Sequence, residues 1–174
     1  MDQKNQILSY LPKTELEAPA SPEAIDNFEH QFMALPLDYK TFLSITNGLE
    51  GEIGDYYVRL FNLKELQETY EDKDEQEFFP GLLTIGTDGG GEKFSYKIDE
   101  EMNLYLVPAI GEFDEDGILI AYDFMHLLKR LSENEDIFDK LPPKAWLQAI
   151  NEEKVGLTIG SSWHPGYPSR LALH

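Results

Sequence analysis

The sequence predicts an α+β domain, and three observations carry that prediction. Helix-periodic segments lie near the start, short strand-like runs follow in the middle, and a capped amphipathic segment comes after them. The first helix is expected over about Pro22 to Met33. Ser21 supplies an N-cap, Pro22 fits the first helical position, and Ala24, Ile25, Phe28 and Phe32 recur close to one face. Leu35-Pro36 breaks it. A second helix is expected from about Leu37 to Ile45, with Tyr39, Phe42, Leu43 and Ile45 as its apolar face and Asn47-Gly48 stopping it in left-handed conformations.

Beyond that stop the period changes. Tyr56 to Phe61, "YYVRLF", is rich in strand formers, and Leu63 to about Lys73 returns to helix, with Leu63, Leu66 and Tyr70 opposite Glu65, Glu68, Glu71 and Asp72. A Pro-Gly turn then leads into a strand over Leu82 to Gly86. Further strands at about Glu92 to Ile98 and Leu104 to Val107, joined by the polar turn Asp99 to Asn103, complete an antiparallel meander. Ile118 to Ala121 reads as a last strand, and Asp123 as the N-cap of a helix carrying Phe124, Leu127, Leu128 and Leu131. Leu141-Pro142-Pro143 marks a linker, followed by a helix from about Pro143 to Lys154, closed by Gly156, and an irregular tail to His174. The organisation expected is a domain over 1–140, with its core at about 21–131, to which 141–174 is appended.

Three consecutive glycines in "IGTDGGGEKFSY", Ile85 to Tyr96, resemble a phosphate-cradling loop. Neither G-x-G-x-x-G nor G-x-x-x-x-G-K-[ST] is present, and Phe94, Tyr96 and Ile98 alternate with polar residues directly afterwards. The glycines therefore read as a turn between two strands.

A chain of 174 residues and 19.9 kDa buries on folding roughly 70% of its unfolded surface, so no disulfide or metal staple is required. It contains no cysteine, which removes thiol catalysis and thiolate metal sites. The first nineteen residues show no basic region followed by a long apolar run, and the expectation is a soluble cytoplasmic protein. Thirty-three acidic against 14 basic residues give a net charge of −19 and a pI of about 4.4. A field of that sign repels nucleic-acid phosphate and anionic lipid and speeds encounter with a basic partner. Direct nucleic-acid and membrane binding are thereby disfavoured.

Candidate chemistry is sparse. "EFDEDGILIAYD", Glu112 to Asp123, counts as a twelve-residue calcium loop with Glu112, Asp114 and Asp116 at alternate positions and Asp123 last. Its incoming segment reads as strand and loop where a calcium loop needs a helix, which favours a solvated acidic loop ahead of a capped helix. His30, His126, His164 and His174 lack the i, i+4 pairing of a metal site, and Ser161 and Ser162 in "GSSWH" do not form a nucleophile elbow. No catalytic residue, metal or cofactor is assigned. The aromatic set Tyr56, Tyr57, Phe61, Phe78, Phe79, Phe94, Tyr96 and Tyr105 reads chiefly as core, and any member left at the surface beside acids would suit a protein-binding anchor.

The motifs L-P-x-D-Y-x-x-F-L followed by N-G (from Leu35), I-G-x-D-G-G-G-E (from Ile85) and A-Y-D-F-x-x-L-L (from Ala121) occur in one order over about Ser21 to Leu131. In this the chain resembles the SUKH superfamily, whose members include bacterial toxin-immunity proteins and a yeast cell-wall-synthesis regulator. The resemblance implies a single domain with a mixed, strongly bent sheet beside N-terminal helices, no catalysis and no cofactor. It also implies, for bacterial members, binding and neutralisation of a toxin, often a nuclease. Acidity joins this to a specific expectation: carboxylates occupy a basic toxin site where phosphate would sit. The residues expected to do so are Glu50, Glu52 and Asp55 after the second helix, Asp88 and Glu92 at the glycine turn, and Glu112, Asp114, Glu115 and Asp116. The alternative is a non-enzymatic scaffold or regulatory binding module on the same fold.

Overall fold

Helix α1, Gln3–Tyr10, buries Ile7 and is the first element of the computed structural model, which describes residues 2–11, 13–110 and 117–148. Strand β1 follows at Lys13–Leu16. In α2, Pro22–Gln31, Ser21 Oγ accepts from the Ala24 amide at 3.1 Å, and Ile25 and Phe28 are buried. Helix α3, Leu37–Leu43, buries Asp38, Tyr39, Phe42 and Leu43. Of the Asn47-Gly48 pair that follows, Gly48 alone takes positive φ (+98°), where a Cβ would lie 3.0 Å from Leu60 O and from Asn62 N.

Strands β2, Leu49–Ile53, and β3, Tyr56–Leu60, form a hairpin. Helix α4, Leu63–Glu71, opens with a capping box between Asn62 and Glu65, and Asp72 caps α5, Lys73–Phe78. Then come β4, Leu82–Thr87; β5, Glu92–Lys97; β6, Leu104–Pro108; β7, Ile118–Ala121; and α6, Phe124–Ser132. The expected helices and strands between Pro22 and Ser132 are present, while α1, β1, β2 and α5 were not anticipated. The helix expected to end near Lys73 is two, divided at Asp72, whose extended backbone ends one and whose carboxylate starts the next.

The seven strands lie in sequence order, and every pairing is antiparallel. The resemblance implied a mixed sheet; instead, even the two pairs joined by long helical connections, β1–β2 across α2 and α3 and β3–β4 across α4 and α5, run antiparallel. Register shifts at Thr84/Gly86 and Leu104/Tyr105 add local bends and twist.

The main core lies between the sheet and the helices. Tyr39, Phe42 and Phe124 pack with ring centroids 4.9 to 5.8 Å apart, and Tyr96 of β5 meets Tyr39 edge-on. A smaller cluster of Phe79, Leu82 and Val107 covers β4 to β6 from the other side. There α5 sends Glu75 to Lys93 Nζ (2.6 Å) and to Thr84 Oγ1 (3.0 Å), and Lys93 sits 4.3 Å above the Phe79 ring.

Asp38, in the first turn of α3, bonds to a second helix as well as its own. Its Oδ2 accepts from the Phe124 and Met125 amides at 2.8 and 3.1 Å, and its Oδ1 from the Tyr39 amide. Asp123 accepts from the His126 amide, so the first-turn donors of α6 are all engaged. Near the end of α6, Arg130 is only 3% exposed; it donates to Ile120 O, Asp136 O and Glu135 Oε2. The Leu141 amide donates to Leu119 O on the outer edge of β7. The chain divides into Met1–Leu141 and Pro142–His174; in the second unit residues 144–148 are helical, and the rest of the expected helix and tail lies outside the described residues.

Three stability effects follow. Replacing Asp38 by Ala leaves the first amides of α6 buried without a partner, and urea denaturation should show a loss of about 3 kcal/mol, with Asp38→Asn losing less. Arg130→Met should destabilise by about 2 kcal/mol, with hydrogen exchange accelerating first over residues 133–139. His126 stacks on Tyr122 and its Nδ1 accepts from the Tyr122 amide at 3.4 Å. Burial, foremost, holds its pKa below 6.5. The unfolded chain then takes up the proton first, so stability should fall as pH drops through 6.5, and less steeply in His126→Gln.

Candidate functional site

The pattern "LEGEI" determines which way β2 presents its acids. Leu49 and Ile53 enter the core, so Glu50 and Glu52 project from the opposite, outer face. In β3 the buried Val58 and Leu60 likewise turn Tyr57 and Arg59 outward. The register sets Glu50 opposite Arg59, Glu52 opposite Tyr57, and Glu15 of β1 opposite Glu50. One outer surface therefore carries Glu15, Glu50, Glu52, Tyr57 and Arg59.

Tyr57 is 43% exposed, and its hydroxyl donates to Glu50 Oε1. That hydrogen bond is the foremost reason its phenol pKa lies above the usual value. Arg59 donates to Glu65 of α4, lies 5.3 Å from the Phe61 ring centroid, and stands 4.0 Å from Glu50. Of the aromatic set, Tyr57 and Phe78 are the exposed members, and Tyr57 is the one flanked by the predicted acids.

Pairing of β3 with β4 brings the glycine turn alongside Tyr57. Gly89 has φ +73°, and a Cβ there would lie 2.8 Å from Tyr57 Cε1. Asp88 Oδ1 accepts from the amides of Gly90, Gly91 and Glu92 at 2.7, 3.1 and 2.9 Å. The donors a phosphate cradle would use are thus directed at this chain's own carboxylate. Glu92 is half-buried, and burial followed by the Asp88 charge raises its pKa. Next to outward-facing Lys93, it alternates to the other side of β5.

Asp55 lies in the β2–β3 turn, where its amide donates to Asn134 Oδ1 at 2.7 Å. With Glu52, Gly54, Ser9, Tyr10, Ser132 and Asn134 it lines a cleft of about 450 Å³. The structure therefore joins Glu50, Glu52 and Asp55 along one hairpin with the Asp88 turn beside it, and sets Glu92 apart. Glu112, Asp114, Glu115 and Asp116 lie outside the described residues, and with them the first three carboxylates named in the calcium-loop reading; its last position, Asp123, caps α6.

Sequence reasoning missed Glu15, because "KTEL" is too short to show strand period, and left Tyr57 among core aromatics. Among the described residues no three His, Asp or Glu side chains group as a metal site, and no helix is long and apolar enough to cross a membrane. The arrangement presents carboxylates and one anchored phenol ring on a rigid sheet, which suits it to bind a cationic protein surface.

No curated protein sequence matches the chain. The model of the SMI1 / KNR4 family (SUKH-1) matches residues 19–130, a stretch that holds α2 through most of α6 and all three motifs. With more than half its length matched, the chain belongs to the SMI1 / KNR4 family (SUKH-1), a family that fits an immunity-protein function.

Proposed function

We propose that this chain is a cytoplasmic immunity protein that binds a cognate bacterial toxin and neutralises it without catalysis. The toxin is a basic domain, foremost a nuclease, whose active site the acidic surface occludes. The observation that carries the reading is the exposed hairpin bearing Glu50, Glu52 and Asp55 on a chain of net charge −19. Family membership supports it. Opposite fields accelerate encounter, and carboxylates ordered on a sheet take the positions that substrate phosphates would fill.

The test begins with the tagged full chain as bait in lysate of its own organism, washed at low and then high salt. Each captured protein is then expressed with and without this chain and scored for lethality. A basic toxin whose lethality is suppressed, and whose affinity falls at least about tenfold between low and high salt, is the expected result. The triple variant Glu50→Gln, Glu52→Gln, Asp55→Asn should slow association more than it speeds dissociation. Capture only of non-toxic, envelope-assembly partners would instead identify a scaffold or regulatory module on the same fold.

A further inference from the structure

The outer side of the sheet is covered unevenly. Over β4 to β6 it lies beneath Phe79 and α5, with Glu75 tied to Lys93 and Thr84. Over β1 to β3, Glu15, Glu50, Glu52 and Tyr57 are exposed. Tyr57 is nonetheless held in place: its hydroxyl is tied to Glu50, and Gly89 fits against its ring edge where any larger residue would collide. A flat ring fixed in advance loses little freedom when a partner covers it. Glu52, opposite Tyr57 in the register, also lines the cleft shared with Asp55, so ring and cleft adjoin.

We propose that this open face docks an arginine-bearing surface of the partner, with Tyr57 as the stacking anchor and the Glu50, Glu52 and Asp55 carboxylates as the ionic contacts. The inference rests on the reading of the chain as a binder of a basic protein and specifies where and how it binds. Charge complementarity selects the occupant. Lys13 and Arg59 are the cations of β1 to β3, and Arg59 is engaged with Glu65; Glu15, Glu50, Glu52 and Asp55 outnumber them. A guanidinium suits the site better than an ammonium, because its plane stacks on the ring while its fork of donors reaches two carboxylates.

The experiment uses the full chain and two defined probes, hexa-arginine and hexa-lysine, followed by amide NMR shifts and titration calorimetry. Hexa-arginine should bind more tightly than hexa-lysine and shift amides of residues 50–59 and 87–91. Tyr57→Ala should weaken it about tenfold. Gly89→Ala, which changes no charge but displaces the ring, should weaken it comparably. Tyr57→Leu, which keeps an apolar side chain on the strand, guards against misfolding and should also lose affinity. The control pair Glu68→Gln with Glu71→Gln removes two charges from α4 and should have little effect. Shifts spread evenly over the acidic helices, unaffected by Tyr57 variants, would overturn the docking face. So would concentration-dependent shifts of the same residues without peptide, which would show a second copy of this chain covering them. Either result leaves toxin neutralisation by the wild-type chain, scored separately by lethality, free to stand.

Discussion

The carboxylate of Asp38 joins the two ends of the domain. It lies in the first turn of α3, yet two of its hydrogen bonds close the start of α6, 86 and 87 residues later. Phe124 at that start is fully buried against Tyr39 and Phe42, so water cannot serve the exposed ends of the helix backbone. A negative charge is also well placed at the positive end of the helix dipole. Asp123 alone reaches one amide; the others need a group brought in by another helix. Packing of α3 against α6 and completion of the α6 cap therefore require each other.

Asn47 repeats the device. Its Oδ1 accepts from the Leu63 amide at 3.0 Å, while Asn62 and Glu65 complete the capping box of α4. The adjoining Gly48 lets the chain pass close to Leu60 and Asn62, which brings Asn47 into range. The L-P-x-D-Y and N-G motifs thus act on helices other than the one they bracket, and the D-G-G-G-E motif folds its amides onto its own aspartate. Residues that resemble punctuation in the sequence are long-range fasteners in the fold.

This explains what was legible beforehand. Local caps at Ser21 and Asp123, and the alternation of β5, declare themselves because cause and effect lie within a few residues. Helix α1 has one buried residue and α5 none, so neither shows an apolar stripe to detect. Strand β2 alternates, but a central glycine and two glutamates disguise it as a loop. For the site, the acids on β2 lie exposed, while the outward turn of Tyr57 was not anticipated. Large residues occupy both faces of "YYVRLF", and pairing with Leu49 and Ile53 decides which face is buried.

The two halves of the outer sheet surface show why one is open. Over β4 and β5 the outward residues include Leu82, Thr84 and Ser95, the last two bonded to each other at 3.0 Å, and Lys93, paired with Glu75; such a surface accepts a covering helix with its polar groups satisfied. Over β1 to β3 the outward groups include the carboxylates of Glu15, Glu50 and Glu52, beside Tyr57 and Arg59. Burying them under a helix as acidic as α4 or α5 would place like charges together in a poorly solvated layer, which costs far more than the apolar area returns. Among the described residues no helix covers that half. A cover that restores the balance has to bring cations of its own.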